Sequence, residues 1–153
     1  IGLEIFKVQK RAFNQRFGFL DYKTTTGHIN FNYNFEQLGL IANLSIGKYL
    51  AKDNGYTLDL SRRTKSGFRA GVFFSRTNVS AAEFGEGSFD KGFYFKIPFN
   101  LFSKKYTQQS FDFKLKPLTR DGGAKLDYDK RLIDLIDNTT YSEINRGWNG
   151  FLD

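Results

Sequence analysis

The chain of 153 residues contains no cysteine and no methionine, and it has one tryptophan, one histidine and two prolines. Without cysteine, a disulfide framework and a zinc site built on thiolates are both excluded. No run approaches the ~20 apolar residues that a membrane-spanning helix requires. The mean hydropathy of −0.47 nevertheless leaves a β-barrel possible, because strands that alternate lipid-facing and lumen-facing residues keep the average low.

Aromatic residues are abundant instead, with 18 phenylalanines and eight tyrosines, which is typical of β-rich surfaces. Successive side chains of a strand point to opposite sides, so an alternating pattern predicts a strand with two different faces. Phe93, Phe95, Ile97 and Phe99 share one face of such a segment, and Tyr94 and Lys96 share the other. Similar alternation predicts an antiparallel meander of eight strands at residues 3–13, 16–24, 28–35, 38–50, 56–61, 68–75, 91–99 and 110–118.

Short and longer connections roughly alternate along this meander. Tight hairpins are predicted at Asn14-Gln15, Glu36-Gln37 and residues 65–67, with longer loops at residues 51–55 and 78–90. Outer-membrane barrels show this alternation of short turns and long loops. The loop 78–90 carries two phenylalanines, so we expect it to be ordered and folded over the barrel mouth.

The pattern changes after the last predicted strand. Residues 129–136 place four apolar side chains at helical spacing, which predicts a short amphipathic helix. That helix packs on the barrel end or a partner domain, enters the lumen as a plug, or lies on a lipid surface. We therefore divide the chain into a barrel region, residues 1–120, and a helical or irregular segment, residues 121–153. Trp148 and Phe151 form a late aromatic pair suited to a membrane interface.

A group of carboxylates in the longest loop invites a chemical interpretation. Glu83, Glu86 and Asp90 lie close together, and they suit a glycosidase pair, a calcium or salt-bridge site, or structural packing of the loop. The glycine-rich stretch precedes a strand rather than a helix, which argues against a nucleotide-binding loop. We assign these loop positions a structural role, together with a second turn region: Glu83, Gly85, Glu86, Gly87, Asp90, Arg120 and Asp121.

The lone His28 has no nucleophile motif beside it, and the simplest interpretation is a hydrogen-bonded residue at the start of a strand. Asp53-Asn54-Gly55 lacks the later ligands of a calcium loop and is interpreted as a turn. The sequence therefore predicts no cofactor, no metal and no catalytic residue. We expect a protein that is not an enzyme.

The formal net charge of +7 comes from 23 basic and 16 acidic residues. Basic patches with exposed aromatics are used by nucleic-acid-binding proteins. Here the aromatics lie mostly on the face opposite the charges, so a barrel wall with apolar residues outside and basic residues inside is the simpler interpretation, and we predict no nucleic-acid partner. Basic residues in a lumen attract anionic solutes, or they only pair with acidic neighbours.

Three long segments together carry a family resemblance: residues 47–80, residues 83–99 (EFGEGSFDKGFYFKIPF) and residues 117–126 (PLTRDGGAKL). From about Arg11 onward, the chain resembles the C-terminal region of the YjbH/GfcD family. This resemblance implies an outer-membrane β-barrel associated with exopolysaccharide and capsule production in a Gram-negative bacterium. Because family members are much larger, it also implies that the chain is a piece of a longer protein.

The resulting prediction is an all-β antiparallel meander that forms all or part of an outer-membrane barrel with a short C-terminal amphipathic helix. The resemblance implies that the partners are outer-membrane lipid and the periplasmic and lipoprotein components of the same pathway. The basic aqueous lumen would bind or pass exopolysaccharide or capsular polysaccharide. The alternative is a soluble β-rich carbohydrate-binding or polysaccharide-modifying domain. The residues expected to face polysaccharide are Tyr94, Lys96, Lys114, Lys116, Arg69 and Tyr49.

Overall fold

The structure is a computed structural model that describes residues 1–13, 17–80, 82, 90–102, 109–116, 122–126, 128, 144–145 and 148. These residues form a single antiparallel sheet of seven strands. The strands are β1 (Gly2–Arg11), β2 (Phe19–Phe35), β3 (Leu40–Lys48), β4 (Asn54–Arg63), β5 (Arg69–Thr77), β6 (Asp90–Pro98) and β7 (Ser110–Leu115). Short 3₁₀ turns at Glu36–Leu38 and Phe99–Leu101 follow β2 and β6.

The strands pair in chain order, so that each strand neighbours the next one in the sequence. Every pairing from β1–β2 to β6–β7 is antiparallel. The sheet curls into a half-barrel with β1 and β7 at its edges. The antiparallel meander predicted from period-two alternation is therefore confirmed.

The predicted number of strands was wrong, because the second and third predicted strands are one strand. β2 runs for 17 residues through Thr25, Thr26 and Gly27, where the sequence suggested a break. Both neighbours pair across this point: Gly27 lies opposite Ile5 of β1 and opposite Lys48 of β3. Hydrogen bonds from both neighbouring strands thus keep residues 25–27 in an extended conformation, which their local sequence preference does not favour.

The tight connections agree with the predicted turn chemistry where the structure describes them. Glu36–Leu38 closes the β2–β3 hairpin, and the amide of Thr64 donates to the carbonyl of Phe68 (2.9 Å) to close the β4–β5 hairpin. The Asn14-Gln15 turn, most of the 78–90 loop and the 129–136 helix fall outside the described residues.

The two faces of the sheet differ sharply in chemistry. The outer face carries apolar side chains that are exposed, including Ile29, Phe31, Val72, Phe93 and Phe113. On the inner face several polar side chains are buried: Thr24, Thr26, His28, Ser61 and Ser75. This distribution is the inverse of a water-soluble sheet, which buries its apolar face.

Few apolar side chains are buried among the described residues. Ile41 on the inner face is 8% exposed, and Tyr49 in the β3–β4 connection is fully buried. The segment 122–126 lies at the same end of the sheet, where the amide of Leu50 donates to the carbonyl of Ala124 (3.0 Å). Tyr128 then contacts the β1 edge, with its ring centroid 5.2 Å from that of Phe6. Segment 122–126 and Tyr128 therefore lie against the inner face.

Candidate functional site

A polar cluster occupies the middle of the inner face, where β3, β4, β5 and β6 each contribute side chains. The Tyr94 hydroxyl donates to Asp59 Oδ1 (2.9 Å), and Asn43 Nδ2 lies 3.4 Å from the same oxygen. Arg69 Nε donates to Ser61 Oγ (2.9 Å), while the Arg69 guanidinium lies 5.9 Å from the centroid of the Tyr94 ring. We call these five residues the Asp59 cluster.

The register of the sheet brings this cluster together. Asn43 lies directly opposite Asp59, and Gly71 lies opposite both Ser61 and Tyr94. A side chain at position 71 would collide with the ring of Tyr94, so the glycine leaves the space through which Tyr94 reaches across β5 to β4. The cluster thus depends on a close approach that only a residue without Cβ permits.

Basic side chains continue the inner face toward β7. Lys114 Nζ lies 4.7 Å from the centroid of the Phe73 ring, a cation–π contact. Lys96 lies opposite Arg69 on one side and opposite Asp112 on the other. Lys96 and Lys114 are exposed, whereas Arg69 is half-buried. The inner face therefore presents cations and a tyrosine beside a half-buried carboxylate.

The structure brings together four of the six residues predicted to face polysaccharide: Arg69, Tyr94, Lys96 and Lys114 share the inner face. Lys116 follows β7 and is exposed. Tyr49 lies apart from these four and is fully buried, so its ring does not face solvent. Of the loop positions, Asp90 begins β6 opposite Ser75. The others, Glu83, Gly85, Glu86, Gly87, Arg120 and Asp121, are not among the described residues.

Tyr49 centres a second polar group at the end of the sheet near segment 122–126. Its hydroxyl is 2.7 Å from Thr57 Oγ1, which is 2.7 Å from Ser75 Oγ, so three hydroxyls form a chain across β4 and β5. Burial raises the pKa of Tyr49 to about 12. The ring of His28 meets that of Tyr49 edge-on, with centroids 4.7 Å apart. His28 lies in the middle of β2, not at the start of a strand as predicted.

Asp53 links the sheet to the segment that follows β7. The amide of Gly123 donates to Asp53 Oδ2 (2.7 Å), and Asp53 is only 2% exposed. At the β1 edge, the Tyr128 hydroxyl donates to Glu4 Oε1 (2.8 Å). Within the described part of the chain, no three His, Asp or Glu side chains are grouped as a metal site would require.

Sequence reasoning missed the two acidic residues that organise this face. Asp59 appeared only as one polar position of an alternating strand, and Asp53 was interpreted as part of a turn. A charged residue flanked by apolar neighbours in a strand, as in Leu58-Asp59-Leu60, is a signal for a paired inner-face carboxylate. For Asp53 no such local signal exists, because its partner Gly123 lies 70 residues away.

No helix among the described residues is long and apolar enough to span a membrane.

A family model for the exopolysaccharide biosynthesis protein YjbH (also written YbjH) matches residues 1–138. The chain belongs to the YjbH family. The resemblance seen in the sequence is thereby confirmed, and it now also includes the residues of β1 that precede Arg11.

A curated relative from Escherichia coli (strain K12), described as the uncharacterized lipoprotein YjbH, is 40% identical over 129 residues. The match includes 83% of this chain but only 18% of the relative, so the chain spans less than a fifth of that protein. No solved structure matches the chain significantly. The chain thus belongs to a family described by exopolysaccharide biosynthesis, and the role of the half-barrel itself must be argued from its two faces.

Proposed function

We propose that this chain forms part of the wall of an outer-membrane β-barrel that exports or assembles exopolysaccharide or capsule. In this proposal the outer face contacts lipid, and the inner face lines an aqueous lumen that binds or passes polysaccharide. The protein acts without catalysis, alongside periplasmic and lipoprotein components of the same pathway. The observation that carries the proposal is the inverted sheet, whose exposed apolar outer face backs a half-buried polar inner face.

The outer face has the composition of a lipid-contacting belt. Phe93 and Phe95 are 38% and 36% exposed, and both stack or pack against Phe113 of β7 at centroid distances of 6.5 and 6.4 Å. On β4, apolar outer positions continue between Asn54 and Arg62. Eight residues of strand measure about 27 Å, which is about 20 Å along the barrel axis when the strands tilt by ~40° from that axis. Lipid-facing belts are about 25 Å tall.

The inner face supplies groups that recognise sugars. The Tyr94 ring is a flat apolar surface, while Asp59 and Asn43 provide hydrogen-bonding oxygens and an amide beside it. Lys96, Lys114 and Arg69 add positive charge, which attracts an anionic polymer and raises its local concentration. An extended glycan can contact such a wall at several points, because the cluster and the lysines extend across five strands, from β3 to β7.

The alternative, a soluble carbohydrate-binding or polysaccharide-modifying domain, predicts a different burial of the same residues. Such a domain would bury the aromatic face in a closed core and leave the lysine-bearing face in water. The exposure of the outer phenylalanines, together with burial of Thr26 and His28 on the inner face, favours the membrane wall. The prediction that Phe93 and Phe95 are accessible while Tyr94 and Lys96 share the opposite face is confirmed.

Charge reversal of the inner-face lysines tests the proposal. The triple variant Lys96→Glu, Lys114→Glu and Lys116→Glu should fold and reach the membrane, because these side chains are exposed and cost little stability when changed. It should nevertheless secrete less polysaccharide per cell, because the lumen then repels an anionic polymer. Heat-modifiable gel migration reports whether the variant is folded.

A matched control changes the same number of charges away from the inner-face lysines. Lys10→Glu, Lys52→Glu and Lys65→Glu alter exposed residues near the strand ends and in the hairpin connections. Secretion should remain near the wild-type level in this control. Normal secretion from the well-folded variant Lys96→Glu, Lys114→Glu and Lys116→Glu would show that the basic residues have no role in transport.

A further inference from the structure

Besides Arg11, Lys23 and Arg62, the outer face carries four exposed cations, one on each of four strands: Lys7 of β1, Lys48 of β3, Arg76 of β5 and Lys91 of β6. Each is the outer-face residue that borders the apolar belt on the side of the 49–53 and 78–89 connections. Beyond them, outer positions become apolar, as in Ile46 after Lys48 and Phe93 after Lys91. The four residues are called the cationic row.

The row runs diagonally across the sheet and advances two residues along the strands at each step, over two strand spacings for the first two steps and over one for the last. Lys7 lies opposite Thr25 and Lys48 lies opposite Gly27, so the second cation is displaced by two residues along the strands. Lys48 is level with Asn54, whose carbonyl accepts from the amide of Asn78. Arg76 is therefore displaced by two further residues, in the same direction.

Lys91 completes the diagonal, since it lies opposite Phe74, two residues beyond Arg76. Across the five strand spacings from β1 to β6, about 24 Å, the row thus climbs six residues, about 20 Å. The slope of this line is about 40°. Strands in membrane barrels tilt by about 35–45° from the axis, so a line of this slope lies in the plane of the membrane.

The hairpin ends support the same orientation. The β2–β3 hairpin ends at Phe35 and Leu40. The residues paired with them on the following strands reach β6 at Phe95. The β6–β7 hairpin ends three residues further along, at Pro98 and Ser110. The turns climb the sheet in the direction of the cationic row, as expected when both follow one membrane plane.

We propose that the cationic row binds the phosphate groups of anionic lipids at one surface of the membrane. This inference depends on the proposed lipid contact of the outer face. Long lysine and arginine side chains can extend from the border of an apolar belt to the headgroups while their methylene stems stay against the lipid tails. On the outer face of the described strands the one acidic residue is Asp21, which lies beyond the row near the start of β2. The outer face around the row therefore carries a net positive charge, which favours negative headgroups over zwitterionic ones.

The test compares lipid selectivity at the protein surface. The barrel protein whose wall contains this chain is reconstituted into phosphatidylcholine bilayers that contain a trace of spin-labelled phosphatidylglycerol or spin-labelled phosphatidylcholine. Electron paramagnetic resonance then gives the fraction of each label that is motionally restricted by the protein. We expect about fivefold preference for phosphatidylglycerol at low salt, the effect of one cation near an anionic lipid surface. High salt should reduce this preference.

The variant Lys7→Gln, Lys48→Gln, Arg76→Gln and Lys91→Gln, which neutralises the whole row, should lower the preference below the wild-type value while leaving the total restricted lipid unchanged. The control Lys10→Gln, Lys52→Gln, Lys65→Gln and Lys116→Gln removes the same charge from exposed residues outside the row and should keep the preference. Equal preference in the wild type and the row variant, or equal loss in both variants, would overturn the cationic row. Absence of any restricted lipid would instead refute the lipid contact itself, and with it the proposed function.

Discussion

Tyr94 of β6 passes over Gly71 of β5 and donates a hydrogen bond to Asp59 of β4, two strands away. This contact ties three consecutive strands together on the inner face. It also gives a half-buried carboxylate a hydroxyl partner, and a buried acceptor that loses its partner is costly. The arrangement depends on the missing side chain at position 71, so it can be tested there.

Gly71→Ala should displace the Tyr94 ring and break its hydrogen bond to Asp59. We expect the free energy of unfolding to fall by about 1–3 kcal/mol, the cost of removing a hydrogen bond to a half-buried charged group. Denaturant unfolding of the reconstituted protein measures this change. Gly2→Ala is the matched control, because an added Cβ at Gly2 makes only an ordinary contact with Asn30 (3.9 Å).

A double-mutant cycle shows whether the Gly71→Ala effect acts through Tyr94. Tyr94→Phe removes the same hydrogen bond while keeping the ring, so its cost should overlap with that of Gly71→Ala. The double variant should therefore be less destabilised than the sum of the two single variants. Additive effects would mean that Gly71 matters for a reason other than this contact.

Tyr49→Phe should change the response of the protein to alkaline pH. The folded pKa of Tyr49, about 12, lies above the ordinary value of 10.0, so the folded state holds this proton more tightly than the unfolded state. Stability from Tyr49 is then fully present below pH 10 and is lost as pH rises toward 12. Unfolding curves measured at pH 9, 10, 11 and 12 check this loss.

In Tyr49→Phe, the stability loss between pH 10 and pH 12 that comes from this hydroxyl should disappear. At neutral pH the free energy of unfolding of this variant should be lower by about 1 kcal/mol, because the hydrogen bond to Thr57 is lost. Tyr33→Phe serves as the control, since the Tyr33 ring is 63% exposed on the outer face. An identical alkaline profile in the wild type and Tyr49→Phe would show that this hydroxyl does not govern the response.

Asp53→Ala should release segment 122–126 from the inner face. Asp53 accepts the amide hydrogen of Gly123, and a carboxylate that accepts from a buried amide forms one of the stronger hydrogen bonds in proteins. Hydrogen–deuterium exchange of the Gly123 amide should therefore accelerate in this variant. Asp21→Ala changes an exposed aspartate of β2 and should leave the exchange unchanged; unaltered protection in Asp53→Ala would contradict the tether.

Local alternation was sufficient to predict much of the sheet. It assigned Phe93, Phe95, Tyr94 and Lys96 to the correct faces because side-chain direction in a strand follows position alone. It failed at residues 25–27 because Thr-Thr-Gly resembles a turn until both flanking strands are considered. One such strand is β3, which approaches β2 closely at this point. A side chain at Gly47 of β3 would overlap the carbonyl oxygen of Gly27.

The candidate site was harder to predict, because its residues meet through register. Asp59 and Tyr94 are 35 residues apart, and their contact depends on the lengths of two connections and on the pairing of three strands. A slip of one residue would move every side chain of a strand to the other face. Sequence reasoning therefore identified the basic and aromatic members of the inner face, but it did not identify the carboxylate that Tyr94 contacts.

The central claim is that the outer face meets lipid while the inner face meets water. Because the chain has no cysteine, single cysteines can be introduced at Phe95 and Lys96 and labelled with a nitroxide without removing native thiols. In the membrane-embedded protein, the label at Phe95→Cys should collide frequently with oxygen, which partitions into lipid, and rarely with a water-soluble nickel complex. The label at Lys96→Cys should show the opposite preference. Equal access of the nickel complex to both labels, or a reversed preference, would contradict the account.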